Sequence, residues 1–249
     1  FWTNKNYFKM KSLLSSVLSL CIISSSFAQL SIDIQAKGSA NSTWLINKNI
    51  TDLGERQDYA AGWGSSYGIA GNIYAGIIGV GIEIHYATHN AAYEGVISEF
   101  NTVLDTYNSE VNLETIQIPL LLKFQSERGS YIEIGPQLTN ISSATYNRSG
   151  TAPIVGEYTF EPKDVSEQYS ERYLSGVLGF GAKIPLGEGF PLGVLIGIRL
   201  QYSFGDLMGV DGEGLALGSE GDPSFFYPTH QPTQAISGGC IIGLTWTVN

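Results

Sequence analysis

Taken two residues at a time, most of the chain alternates between large apolar side chains and small or polar ones. That period marks β-strands, whose successive side chains point to opposite faces. From Ile78 the pattern is clearest: Ile78, Val80, Ile82, Ile84 and Tyr86 share one face, and Gly79, Gly81, Glu83, His85 and Ala87 share the other. A second segment sets Ile116, Ile118, Leu120, Leu122 and Phe124 against Thr115, Gln117, Pro119, Leu121 and Lys123. Eight such strands are predicted, at 31–41, 62–75, 77–90, 111–126, 129–141, 171–185, 191–206 and 233–248. Each supplies the roughly 9 to 11 tilted residues with which a strand crosses a bilayer.

The connections alternate too. Gly76, Ser126 to Gly129 and Gly187 to Gly189 mark tight turns, whereas the other four gaps run to roughly 20 to 30 residues. Short turns on one side and long loops on the other are how outer-membrane barrels are built. The predicted fold is all-β, an eight-stranded antiparallel transmembrane up-and-down β-barrel with both ends on the short-turn side.

A soluble barrel shows the same alternation with its apolar row inside, so volume has to decide between the faces. An eight-stranded interior holds about three to five layers of four side chains, too few for the large apolar residues of eight rows. The apolar rows are therefore expected to face hydrocarbon and the Gly-rich rows to line the lumen. Aromatic residues fall at both ends of the strands, as bilayer interfaces select. Trp63, Tyr67, Tyr86, Tyr173, Tyr202 and Phe204 mark the long-loop end, and Phe124, Tyr131, Phe190 and Trp246 the short-turn end.

Composition changes this picture only at the start of the chain. With 30 Gly, 14 Tyr, 11 Phe and 14% charge in 249 residues, it suits short strands. No apolar run reaches the 18 or so residues of a spanning helix. From Met10 the sequence MKSLLSSVLSLCIISSSFAQ joins Lys11, a short apolar core over Leu13 to Ile23, and the small-x-small site Ser26-Phe27-Ala28. This predicts a secretory leader cut after Ala28, with 1–28 as upstream residues plus leader and 29–249 as the barrel. Leu20 is too large for the residue before a lipid-modified Cys21. Cys240 is then the remaining cysteine, so neither a disulfide framework nor a thiolate metal cluster is expected. Among Gly238, Gly239, Ile241 and Ile242 it reads as a small packing residue. Loss of Lys5, Lys9 and Lys11 with the leader takes the formal charge from −10 to −13. That argues against a nucleic-acid surface.

Two segments carry a family resemblance: TIQIPLLLKF from Thr115 to Phe124, and YIEIGP from Tyr131 to Pro136. With the leader ending in Ala28-Gln29, they resemble the PorT-like or "porin family" outer-membrane β-barrels common in Bacteroidetes. The resemblance covers essentially the whole mature chain and implies a barrel in the outer membrane of a Gram-negative bacterium. It brings no single activity with it. The ending Thr245-Trp246-Thr247-Val248-Asn249 departs from the usual terminal aromatic, with Trp246 the nearest substitute.

Candidate chemistry lies on the inward rows. Asp33, Lys37, Glu83, His85, Lys123, Glu133, Lys183 and Arg199 are expected there, with Gln35, Gln117, Gln137 and Gln201 between them. Unpaired charges are costly in a shielded lumen, so a cross-strand network that plugs the barrel is expected; a gated polar path or ligand site is the alternative. His85 and His89 lie about 13 Å apart along one strand and cannot share a metal ion. No metal or cofactor is expected. His85 reads as a lumen hydrogen-bonding group, His89 as a rim residue and His230 as a loop residue. A rim enzyme hydrolysing lipid or peptide would use His89 or His230, but no nucleophile motif accompanies them. Acids crowd the loops, Asp58, Asp105, Asp164 and Asp222 among them. They read as solvation, or as attraction of a basic partner or of cations that bridge to anionic glycolipid. Phe225, Phe226 and Tyr227 form a candidate surface contact.

The expected function is a non-enzymatic, monomeric integral barrel serving envelope structure or surface interaction. Its expected partners are outer-membrane lipid and envelope or secretion-system proteins, without nucleic acid. The alternatives are a narrow transport or secretion-associated barrel and, less favoured, the rim enzyme.

Overall fold

A computed structural model describes residues 30–100, 102–187, 189–209 and 230–248. The leader and the Phe225, Phe226, Tyr227 cluster lie outside these residues. The strands are β1 Leu30–Asn47, β2 Asp58–Ala60, β3 Gly62–Ala75, β4 Ile78–Glu99, β5 Thr102–Gln125, β6 Ser130–Ala152, β7 Gly156–Thr159, β8 Lys163–Asp164, β9 Arg172–Pro185, β10 Leu192–Ser203 and β11 Thr233–Val248. One short helix, α1 Lys48–Leu53, follows β1.

Eight long strands close a ring in the order β4, β3, β1, β11, β10, β9, β6, β5 and back to β4, all antiparallel. The first and last strands pair from Ile32↔Val248 to Asn47↔Thr233, which closes the sheet without an edge at membrane depth. Gly76 opens the two-residue turn between β3 and β4 at φ 64°, a backbone region that bulky side chains avoid.

The two faces differ as sharply as the alternation does. Ile82 and Ile84 are 55% and 52% exposed, while Glu83 between them and His85 after them are buried. On β5 the outward residues are apolar from Ile116 to Phe124 and polar from Glu114 to Thr106. That band, from 116 to 124, is close to the roughly 9 to 11 residues with which a tilted strand crosses a bilayer. Tyr131, Tyr173 and Cys240 depart from the faces expected of them. Tyr131 and Tyr173 are buried inside the barrel rather than in the girdles, because each shares the parity of an inward residue of its own strand, Glu133 and Ser175. Cys240 is exposed on the outer wall rather than packed.

Two of the family-like residues interrupt the sheet. Pro119 and Pro136 have no N–H to donate. Pairing between β4 and β5 jumps from Ile82↔Leu120 to His85↔Gln117. Between β5 and β6 it jumps from Pro119↔Gln137 to Leu122↔Ile134. β5 is thus held less tightly on both sides near the level of Glu83.

The largest departure is on the long-loop side. Residues 91–110, expected as a loop, extend β4 and β5 into one hairpin paired as far as Glu99↔Thr102. β1 runs on to Asn47, and β6 to Ala152, where β7 joins it. The alternation persists there with its sense reversed: Ala91, Tyr93, Tyr107, Val111 and Leu113 point inward, while Asn90, Glu94, Asn108 and Glu114 point out. Beyond the membrane the surroundings are water, so the apolar row turns to the core.

Candidate functional site

The barrel interior has two storeys. The lower one is ionic, and glycine makes room for it. Lys37 on β1 sits in register between Gly68 and Gly243, and Arg199 on β10 between Gly179 and Gly239. At Gly179 and Gly243 a side chain would crowd the ions, a Cβ on Gly243 lying 3.2 Å from Lys37 Cγ, whereas at Gly68 and Gly239 it would meet the backbone of the neighbouring strand. A Cβ on Gly179 would lie 2.7 Å from Glu133 Oε1.

Glu83 is the hub. Its Oε1 accepts from Lys37 Nζ at 2.6 Å and Lys123 Nζ at 3.1 Å, and its Oε2 accepts from Arg199 Nη1 at 2.8 Å. His85 Nε2 lies 2.8 Å from the same Oε2. Glu133 accepts from Arg199 Nε at 2.9 Å and from its Nη2, and its Oε2 pairs with Lys123 at 3.1 Å. Nearer the short turns, Lys183 donates to both Asp33 oxygens at 2.8 Å and to Thr247 Oγ1 at 2.7 Å. All eight inward candidates therefore lie in the lumen, divided between the Glu83–Glu133 cluster and the Asp33–Lys183 pair. Each carboxylate is engaged by a cation, an arrangement that offsets the cost of burying charge but leaves little free capacity for a substrate or metal.

The upper storey is apolar and was not foreseen. Leu45, Tyr93, Tyr107, Val111, Leu113, Ala144 and Tyr173 from the strands pack around three residues from the connections. Those three are Ile50, Val165 and Leu207, exposed by 0%, 2% and 0%. Ile50 is delivered by α1, whose first turn is capped where Asn47 Oδ1 accepts from Asn49 N–H at 2.7 Å. A lone apolar residue in a polar loop carries no periodic signal, which is why sequence reasoning passed over all three. On β6 the register shifts opposite Glu114 and Thr115, and this bulge turns Ala144 and Arg148 inward. Arg148 lies 4.0 Å over the Tyr107 ring, and its Nη2 donates to Asp105 at 2.7 Å. Tyr158 also donates to Asp105, at 2.5 Å. Partial burial and that bond to a carboxylate push the Tyr158 phenol up to about 12.

The histidines stay apart. His89, expected at the rim, is buried within the barrel with Nε2 3.1 Å from the Trp44 carbonyl. Its strand continues well past the level where the rim was expected. His230 lies in the long connection before β11, 2.6 Å from Asp206 Oδ2. Partial burial opposes ionisation of Asp206, but amide donors from Thr233 and Met208 together with His230 outweigh it and hold the carboxyl below its usual range. Among the described residues, no hydroxyl or thiol is hydrogen-bonded to His230, and no three His, Cys, Asp or Glu side chains converge as a metal site.

A family model described as an outer membrane protein beta-barrel domain matches residues 27–209. No curated protein matches significantly. Among solved structures the chain is similar to Neisserial surface protein A, with 10% identity, TM-score 0.40, and 86% of this chain and 96% of that one covered. It is also similar to outer membrane protein OprG from Pseudomonas aeruginosa, with 13% identity, TM-score 0.39, and coverage of 89% and 97%. A third is the outer membrane protease OmpT from Escherichia coli, with 11% identity, TM-score 0.38, and coverage of 88% and 96%.

Proposed function

Because the chain belongs to the outer membrane protein beta-barrel family, we propose that it is a closed, monomeric, non-enzymatic barrel that displays an extracellular blade for envelope structure or surface interaction. One observation carries this reading: the lumen is blocked twice, by the Glu83–Glu133 ion network and above it by the Ile50, Val165 and Leu207 stopper. A general pore needs neither block. The hairpin of β4 and β5 extends some 13 residues beyond Tyr86, roughly 40 Å along the strand. Its outward face is polar and acidic up to a tip where Phe100, Val103 and Leu104 are exposed, which suits contact with envelope proteins or lipid head groups and not with nucleic acid.

Planar-bilayer recording tests the closure. Wild-type protein should show no steady conductance. The double change Ile50→Ser with Leu207→Ser should admit ions only when Arg199→Ala, which opens the ion network, and Lys183→Ala, which opens the Asp33 pair beneath it, are added, because either storey suffices alone. Free passage of small sugars by wild type would overturn the proposal in favour of transport. That second reading has its own support: Gln35 Oε1, both amide atoms of Asn72 and Thr245 Oγ1 are buried without a protein partner among the described residues, which favours water below the network.

A further inference from the structure

The outer wall is not uniformly convex. On the face formed by β6, β9, β10 and β11 an apolar groove of about 650 Å³ opens sideways into the hydrocarbon band. That is within the range of about 300–1,000 Å³ typical of small-ligand pockets. Its floor is the row Pro136↔Gly176, where neither residue projects a long side chain. Below it, Ile134, Leu178 and Leu200 stand in one register row as a wall. Above it Phe204 forms the roof, leaning so far over Gly176 that a Cβ there would lie 2.7 Å from its Cζ.

The groove lies near the long-loop end of the apolar band. Its upper border is amphipathic, since Tyr202 donates its phenol to Gln234 at 2.5 Å. On β9 the next outward residues above Gly176 are Leu174 and then exposed Arg172, roughly 13 Å away along the strand. Arg172 pairs in register with uncharged Asn140. It therefore stands at head-group level above the groove, on a chain of net charge −10. Glu171 beside it is also exposed, so the contact rests on one cation and not on a basic cluster.

We propose that this groove and Arg172 form a lipid site for a phosphorylated, multi-chain glycolipid of the outer leaflet. Acyl chains lie against Pro136, the Phe204 ring and the wall of Ile134, Leu178 and Leu200, and a phosphate reaches the guanidinium. Four strands span roughly 14 Å at about 4.8 Å each, wider than one acyl chain and suited to several chains on one head group. Hydrocarbon already surrounds the wall, so selectivity comes from shape and from the single charge-assisted contact, not from burial as such. The assignment to the outer leaflet rests on the reading that the long loops face outside.

The test uses purified full-length barrel in non-ionic micelles and native mass spectrometry, with hexa-acylated bisphosphorylated lipid A, phosphatidylglycerol and phosphatidylcholine as separate probes. Wild type should retain one lipid A at about tenfold lower concentration than either phospholipid, a difference of about 1.4 kcal/mol. Leu178→Trp, which fills the groove from a lipid-facing position, should abolish that preference. Arg172→Gln should weaken lipid A about fivefold, the weight of one cation near an anionic surface, and leave phosphatidylcholine unchanged. Heat-modifiable mobility verifies that each variant is folded. Equal retention of all three lipids, or undiminished lipid A binding by both variants, overturns the site. Preference for phosphatidylglycerol overturns the glycolipid as occupant. Micelles have no sidedness, so a reversed orientation would show up in surface proteolysis and leave this result standing.

Discussion

Removing the hub carboxylate without changing its size, by Glu83→Gln, strands the cations around it unequally. Arg199 and Lys123 keep Glu133, whereas Lys37 has Glu83 as its acidic partner at 2.6 Å. Breaking a buried pair from one side costs about 3–5 kcal/mol, because the remaining charge stays desolvated. Lys37→Met leaves Glu83 with Lys123, Arg199 and His85, so its cost should be about 1–3 kcal/mol, near that of a lost charged hydrogen bond. The double variant removes the pair and should cost little more than Glu83→Gln alone, giving a coupling of about 2 kcal/mol. Urea titration of the barrel in lipid vesicles, followed by tryptophan fluorescence and by heat-modifiable mobility, measures all three. Single effects that add within about 0.5 kcal/mol would mean the two side chains do not interact, and the network as described would be wrong.

Other expectations use different parts of the barrel. Ile82→Arg, facing hydrocarbon, should destabilise by about 2–4 kcal/mol in the same assay; a neutral effect would exchange the inward and outward faces. Gly68→Ala should cost about 1–3 kcal/mol, since its Cβ would lie 2.7 Å from His85 Cα and closer still to the Ile84 carbonyl. Gly71→Ala, with nothing within 4 Å, is the silent control. The Tyr158 phenol is raised in the folded state, so the stability it contributes is intact below the ordinary value of about 10 and fades as pH rises through about 12. Phenolate absorbance should show this late-titrating component in wild type and lose it in Asp105→Asn. An unchanged titration would detach Tyr158 from Asp105.

Much of this protein follows from the sequence because a period of two is local. The alternation at Ile78–Tyr86 or Ile116–Phe124 needs only the pleat of one strand, and the volume of an eight-stranded interior then decides which row meets lipid. Parity along a strand likewise assigned Asp33, Lys37, Glu83 and Arg199 to the lumen. It failed where a local feature changes the count or the surroundings: the bulge that turns Arg148 inward, or the hairpin above Tyr86 whose apolar row faces a core because water has replaced hydrocarbon outside. Which cation meets which carboxylate, and the stopper of Ile50, Val165 and Leu207, were decided only by tertiary structure. Strands that are not neighbours in the ring, and loops as far apart in the chain as those of Ile50 and Leu207, meet at a point that no single stretch of sequence encodes.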